Sequence, residues 1–367
     1  NAGAWRNGPT SAMIEARVIR WLCDLLAYGP KSFGTLASGG SEANLIALKC
    51  ARDSAAATIK DDGVRSASND LVVYASEQCH YSIDKSVDIL GLGRHSLRKI
   101  PTDERFHIRV DALRQQIARD RAEGRLPACI VGVAGTTSTG VVDPIEDLAA
   151  VARENNCWYH VDAAYGGPLA FSEKHKAKLR GIELADSITF DPHKWMFVPF
   201  SCGAVLVREG GRVLRDAFDM TPEYLSEDRG GADVEFDFFR YGQMGTRRFN
   251  SLKLWMAIKF MGREGYARTV ERHIDLTHYL ASRIDALPDF ERVGEVETAV
   301  CCFRHRSKSD LVQQQLQQMI ERGGEAWLTT TVLHGSRALR VNINSFLTEQ
   351  HHVDHLLTQI ERAAATL

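Results

Sequence analysis

Five short apolar runs constrain the fold of this chain more than any other feature: Leu71-Val72-Val73-Tyr74, Cys129-Ile130-Val131-Gly132-Val133, Trp158-Tyr159-His160-Val161, Ser187-Ile188-Thr189-Phe190 and Ala204-Val205-Leu206-Val207. They are continuous rather than alternating, rich in β-branched residues, and separated by segments of helical character. A strand without a polar face needs cover on both sides, so the pattern predicts an α/β fold with a mostly parallel sheet flanked by helices. One connecting helix is marked by Asp143 as N-cap, Pro144 at the first helical position and Glu146 three residues after the cap, leading to Leu148 and Val151. An earlier helix from Ser11 to Ala27 carries Ile14, Val18, Trp21, Leu22 and Leu25 at helical spacing and stops at Gly29-Pro30.

After Trp255 the pattern changes. A long helix with Ile274, Leu276, Leu280 and Ile284 on one face is followed by a strand-like Val300-Cys301-Cys302-Phe303, a Gln-rich helix from Asp310 and a strand at Leu339-Arg340-Val341-Asn342-Ile343. The predicted division is a large α/β domain over residues 1–255 and a smaller α+β C-terminal domain over 256–367. The 367 residues, 44% hydrophobic and 25% charged, suit a globular protein of more than one domain. A net charge of −2 argues against electrostatic binding to nucleic acid or membrane. No apolar run spans a bilayer, and the N-terminus lacks a basic-then-apolar signal pattern. The eight cysteines are scattered, with no Cys-x-x-Cys pair, which fits reduced thiols in a cytoplasmic protein rather than a disulfide framework or zinc site.

The chemistry-bearing residues fall in three places. Lys194 lies in Asp191-Pro192-His193-Lys194-Trp195, one crossover after His160-Val161-Asp162-Ala163-Ala164-Tyr165-Gly166-Gly167. Upstream, Gly34-Thr35-Leu36-Ala37-Ser38-Gly39-Gly40-Ser41-Glu42-Ala43-Asn44 reads as a small-residue loop running into a helix, whose exposed amides favour an anion; Gly40 and Ser41 are the expected phosphate contacts. The loop is neither a Walker loop nor a dinucleotide fingerprint. Each feature alone has a plainer reading: a surface lysine, a capping aspartate, a turn before a helix. Together and in this order, an imine-forming lysine, a carboxylate at a strand's carboxyl end and an anion cradle meet the needs of pyridoxal 5'-phosphate. Lys194 would form the imine with the cofactor aldehyde, and Asp162 would keep the pyridine nitrogen protonated.

Ser38-Gly39-Gly40-Ser41-Glu42-Ala43-Asn44, Cys79-His80-Tyr81-Ser82, the Asp162 segment and the Lys194 segment together resemble the group II pyridoxal-phosphate-dependent amino acid decarboxylases, from about Trp5 to the C-terminus. The resemblance implies the type I fold of pyridoxal-phosphate enzymes, a homodimer, no metal, and a carboxy-lyase of amino acid metabolism. It implies that His80 stacks on the pyridine ring near the scissile carboxylate. Thr136 or Thr137 matches a threonine contacting the cofactor, Ala164 lies in a cofactor-contacting segment, and Asp191 and His193 match phosphate or substrate contacts. Animal relatives tend to carry Asn where this chain has Asp191. Tyr224, in Thr221-Pro222-Glu223-Tyr224-Leu225, matches a tyrosine of a mobile loop that protonates the α-carbon after carbon dioxide leaves, and Gly230, Gly231 and Gly242 suit a lid. Arg340 matches an arginine that approaches the substrate carboxylate in some relatives. Arg247 and Arg248 are expected to open a helix facing solvent or a subunit interface. Relatives carry roughly a hundred residues before the position of Trp5, a helical segment that clasps the partner subunit, and the resemblance implies that this chain is a fragment of a longer protein or that the segment is not resolved.

The expected reaction is α-decarboxylation of an L-amino acid to an amine. Trp195, Pro199 and the absence of a Lys-Met-Met run lean towards an aromatic substrate. The alternatives are a 2,4-diaminobutyrate or glutamate type, an aldehyde synthase, a carbon–carbon lyase or aminotransferase of the same fold, and a non-catalytic binding protein.

Overall fold

A computed structural model describes residues 1–220, 237–306 and 309–366. The chain opens with α1 (Pro9–Leu25), β1 (Phe33–Ala37), α2 (Gly40–Ala55), the single turn α3 (Ile59–Asp62), β2 (Leu71–Ser76), α4 (Ser82–Ile89) and β3 (Leu97–Ile100). It continues through α5 (Val110–Ala122), β4 (Leu126–Val133), α6 (Ile145–Glu154), β5 (Trp158–Asp162), β6 (Ser187–Phe190), β7 (Gly203–Val207) and α7 (Gly210–Phe218). These strands form one sheet in the order β1-β7-β6-β5-β4-β2-β3. From β6 to β3 all pairings are parallel, while β7 runs antiparallel to both β6 and β1. All five predicted runs are strands, and β2, β4, β6 and β7 are buried almost throughout because helices cover both faces.

Two local expectations fail for tertiary reasons. Phe33–Ala37, expected within a loop, is strand β1, paired with β7 from Phe33↔Val207 to Ala37↔Gly203. Gly34 is there for clearance, since a Cβ would meet the Val205 carbonyl oxygen at 2.2 Å. A glycine that disfavours a strand locally is what allows this one to pair. Asp143 does not cap α6, whose N-cap is Pro144. Its carboxylate instead accepts the Ile108 amide at 3.0 Å and the Val133 amide at 2.9 Å, and burial pushes its pKa up to about 6.

The remaining elements are α8 (Asn250–Asp285), β8 (Phe290–Arg292), β9 (Val300–His305), α9 (Asp310–Gly323), β10 (Thr329–Leu333), β11 (Ser336–Asn342) and α10 (Gln350–Ala364). Their four strands make an antiparallel sheet in the order β10-β11-β9-β8. The helical path of α8 breaks at Gly262, where φ is 62° and ψ 176°, a conformation glycine reaches without a Cβ penalty. Among the described residues no helix is long and apolar enough to cross a membrane. All eight cysteines are free thiols.

The sheet topology positions the site. From β2 the chain goes outward to β3 and then returns to place β4 on the other side of β2. Connections that leave neighbouring strands in opposite directions open a crevice at their carboxyl ends. Helix α2 crosses the same edge, packing over β4, β5, β6 and β7.

Candidate active site

The carboxyl ends of four parallel strands converge there. Asp162 is the last residue of β5, Asp191 follows β6, Gly135-Thr136-Thr137 follows β4, and His80 follows β2. A cavity of about 330 Å³ is lined by Gly40, Ser41, Asn44, His80, Thr137, Asp162, Ala164, Asp191, His193 and Lys194, together with neighbours on the same loops. Nearly every residue expected from the sequence thus meets at one place. Tyr224 lies outside the described residues. Thr136 and Thr137 separate: the Thr136 hydroxyl is buried and shared with Thr139 at 2.7 Å, whereas Thr137 is exposed towards the cavity.

The two aspartates are held differently. Asp162 accepts the Asn44 side-chain amide through Oδ2 at 2.9 Å and the Ala164 backbone amide through Oδ1 at 3.1 Å. Asp191, 1% exposed, accepts the Gly40 amide through Oδ2 at 2.9 Å, with Lys194 Nζ at 3.3 Å and His193 Nε2 at 3.5 Å from the same oxygen. Its Oδ1 is buried with no partner. Burial pushes the Asp191 pKa up to about 6, against the downward pull of Lys194. His193 is pushed down to about 4 by burial, with Lys194 and Lys253 adding to the shift. Its Nδ1 accepts the Cys202 backbone amide at 2.9 Å, so the neutral ring carries its proton on Nε2, towards Asp191.

Close backbone approach shapes the anion end. A Cβ on Gly40 would lie 2.8 Å from Asp191 Oδ2, and one on Gly39 would lie 3.0 Å from the His193 ring. Helix α2 begins at Gly40 and aims its first amides at this end. The residues fit pyridoxal phosphate: a primary amine, a fold-held carboxylate lining the same cavity, and a glycine cradle at a helix N-terminus that a Cβ would fill. Among the described residues no cluster of His, Cys, Asp or Glu could hold a metal ion.

A second cavity of about 500 Å³ adjoins the first, sharing Thr137, Tyr165, His193 and Lys194. Phe197, Val198, Pro199 and Phe200 form an apolar wall, and Arg340, Asn342 and Asn344 a polar one. Arg340 donates from Nε to the Ser138 carbonyl at 3.1 Å. Trp195, which the sequence suggested as a sign of an aromatic substrate, lines neither cavity. It is fully buried behind Tyr165, stacked at 4.9 Å, and donates to His273 Nδ1 at 3.1 Å. Its neighbours Phe197 and Phe200 reach the cavity instead. Arg247 is also not where charge pattern put it: it is 8% exposed and donates to Glu15 at 2.6 Å, Thr35 at 2.9 Å and the Leu36 carbonyl at 2.8 Å. A lone guanidinium is too costly to bury, but Glu15 is buried opposite it. Arg248 is exposed as expected.

Sequence reasoning quoted Asn44 and Ser82 inside motifs without giving either a role. Asn44 is buried in α2 and bonded to four other side chains, Asp162, Ser82, Thr189 and His160. An asparagine early in a helix otherwise of small and apolar residues was the available signal, because a buried amide needs partners.

A parallel sheet with a lysine and two carboxyl groups at its carboxyl edge, beside a glycine cradle, defines a pyridoxal-phosphate enzyme of the type I fold. The family profile described as "Pyridoxal-dependent decarboxylase conserved domain" matches residues 1–306. The chain is 35% identical over 345 residues to an aromatic-L-amino-acid decarboxylase of Bacillus atrophaeus, covering 92% of this chain and 70% of that protein. It is 31% identical over 375 residues to an L-2,4-diaminobutyrate decarboxylase of Acinetobacter baumannii, covering 97% and 73%. Among solved structures, Oryza sativa TDC with PLP and tryptamine superposes with a TM-score of 0.93 at 28% identity, covering all of this chain and 78% of that one. This chain belongs to the pyridoxal-phosphate-dependent amino acid decarboxylases, carboxy-lyases whose cofactor is pyridoxal 5'-phosphate.

Proposed function

We propose that the protein decarboxylates an aromatic L-amino acid to its amine, as a cytoplasmic homodimer. The observation that carries the substrate reading is the apolar wall of Phe197, Val198, Pro199 and Phe200 beside Lys194, in a cavity of about 500 Å³. An aromatic side chain on that wall would bury apolar area at roughly 25 cal/mol per Å². Pyridoxal phosphate, when bound, supplies the electron sink for the charge left at the α-carbon. The protein's part is to hold and orient. Asp162 would hold the ring nitrogen, while Ser41, His193 and the first amides of α2 would hold the phosphate end, with Gly40 giving clearance and its own amide tied to Asp191. Thr137 and Ala164 line the wall between. His80, half-buried over the cavity with its pKa lowered by burial, would hold the substrate carboxylate out of the ring plane. Tyr224 would return the proton to carbon.

A second reading rests on Arg340 in the same cavity, which would suit an acidic side chain. Carbon dioxide release measured across phenylalanine, tyrosine, tryptophan, dihydroxyphenylalanine, 2,4-diaminobutyrate, glutamate and cysteine sulfinate tests both. Turnover confined to the aromatic set and retained in Arg340→Ala supports the first; turnover of the acidic set that is lost in Arg340→Ala replaces it. Amine and aldehyde measured in parallel for Tyr224→Phe decide the product: a switch from amine to aldehyde supports the proton-return role. Dimerisation is favoured by Phe249, Leu252, Met256 and Phe260, an exposed stripe at helical spacing along the start of α8. Light scattering of Phe260→Glu checks it, a monomer being the expected result.

A further inference from the structure

Asn44, 1% exposed, spends the full capacity of its amide on four partners. Its Nδ2 donates to Asp162 Oδ2 and to Ser82 Oγ, both at 2.9 Å, and its Oδ1 accepts from Thr189 Oγ1 at 2.6 Å and faces His160 Nε2 at 3.0 Å. Two donors and two lone pairs are all that such a group has. Chemistry dictates the orientation of the amide, because a carboxylate only accepts and the nitrogen must therefore face Asp162.

Direction then propagates both ways. With Oδ1 towards His160, that ring must carry its proton on Nε2. Its Nδ1 then accepts from the Ser187 hydroxyl at 2.8 Å, whose oxygen takes the Trp158 indole N–H at 2.8 Å. The Ser187 carbonyl, 3.2 Å from the same Nδ1, would favour the other tautomer, but that would set the His160 Nε2 lone pair against Asn44 Oδ1. On the other side, Ser82 Oγ accepts from Asn44 and lies 2.8 Å from His80 Nδ1, while the Ser82 backbone N–H points at the same atom at 3.2 Å. A backbone N–H can only donate. Nδ1 of His80 is therefore the acceptor, and the neutral ring carries its proton on Nε2.

We propose that Asn44 is a positioning residue that acts on two groups at once: it fixes the rotamer of the Asp162 carboxylate and, by taking a lone pair of Ser82 Oγ so that the hydroxyl proton turns to His80 Nδ1, it reinforces the tautomer that the Ser82 backbone N–H already favours, in which His80 offers an Nε2–H and not a lone pair to the molecule above it. His80 is thereby a hydrogen-bond donor and not a base. Trp158, Ser187, His160 and Thr189 are the buried footing that keeps the amide from rotating. The consequence for turnover rests on reading this cavity as the decarboxylase site; the tautomer itself does not.

The test is ¹⁵N NMR of histidine-labelled holoenzyme, with the His80 signals assigned by their loss in His80→Gln. Wild type is expected to show a protonated Nε2 and an unprotonated Nδ1 at His80. Asn44→Leu removes both arms, and Ser82→Ala removes only the His80 arm, which keeps the test decisive should the first variant fold poorly. Ser82→Ala keeps the backbone N–H and loses only the hydroxyl, so a minor but measurable Nδ1–H population is expected, with kcat lowered about tenfold, KM little changed and cofactor affinity unchanged; in Asn44→Leu the loss is nearer a hundredfold and cofactor affinity falls as well. Ser82→Thr, which keeps the hydroxyl, should restore both tautomer and rate. A wild-type His80 protonated on Nδ1 overturns the proposal, as does Ser82→Ala with an unchanged tautomer and kcat within twofold. The expected tautomer in a wild-type protein that decarboxylates no amino acid would instead overturn the substrate reading and leave this one standing.

Discussion

Asp162 ends one strand, Asp191 follows its neighbour, and both line one cavity, yet the fold treats them in opposite ways. Asp162 has both oxygens met by N–H donors of the chain, Asn44 and Ala164. Asp191 crowds Gly40, Lys194 and His193 onto one oxygen and leaves the other buried without a partner. An unmet buried acceptor costs about 1–3 kcal/mol, so a fold optimised only for stability would not keep it. The difference separates a carboxylate whose position is fixed by donors of the chain from one that is held at a cost to folding.

The sharpest way to break this comparison is Lys194→Ala, which removes the cation beside Asp191. Turnover should fall by at least ~10⁴-fold, because no other described side chain in the cavity offers a primary amine for the cofactor. Loss of the lysine should also raise the titration of Asp191 further above its usual range, since Lys194 holds it down; ¹³C carboxyl NMR reads this directly. A rate within tenfold of wild type would end the assignment.

Next in size is Arg247→Met, which asks whether a third buried carboxyl group, Glu15, resembles Asp162 in depending on donors from the chain. Glu15 accepts from Arg247 at 2.6 Å and from the Leu36 amide at 2.9 Å. Leaving it with only that amide and the Thr35 hydroxyl at 3.4 Å should cost about 3–5 kcal/mol in a urea titration. A loss below 1 kcal/mol would mean that Glu15 does not depend on Arg247.

Asp162→Ala should lower kcat by roughly 10²–10³-fold and weaken cofactor binding, measured by equilibrium dialysis, because the ring nitrogen loses its carboxylate and Asn44 loses an acceptor. Near wild-type rates would show that another group serves the ring.

The smallest effect expected is on stability, from Asp191→Asn. With its pKa raised from 3.8 to about 6, Asp191 holds a proton in the folded state that the unfolded chain has released between those values. Stability of the cofactor-free protein should therefore fall as pH rises through that window, with the full cost of roughly 3 kcal/mol present above pH 6. Asparagine removes the charge, so the variant should be more stable than wild type at pH 8 and equal to it near pH 4. Parallel urea titrations at the two pH values check this.

The strands and helices that carry the site were legible because burial on two faces leaves a local trace: continuous apolar runs mark β2, β4, β5, β6 and β7. Strand β1 was not legible, since Gly34 serves close contact with β7 and not local propensity. Lys194, Asp162 and Gly40 were singled out by residue type and order, and His80 by the family resemblance, and all four line one cavity. Trp195 misled for the opposite reason. An aromatic beside a cavity-lining lysine can face the cavity or the core, and only the packing of Tyr165 over it chose the core. Charge patterning likewise put Arg247 at the surface, because its partner Glu15 is far away in sequence.

Residue order by itself therefore determined the fold class and the cofactor and named candidate reacting groups, since each depends on local pattern or on the chemistry of single side chains. Tertiary structure alone decided which hydrogen bonds those groups make. Asn44 meets Asp162, Ser82, Thr189 and His160 only because α2 crosses the carboxyl edge of the sheet. Hydrogen bonds are short and directional, so the state of a group such as His80 depends on placements of a few tenths of an ångström that no spacing along the chain encodes.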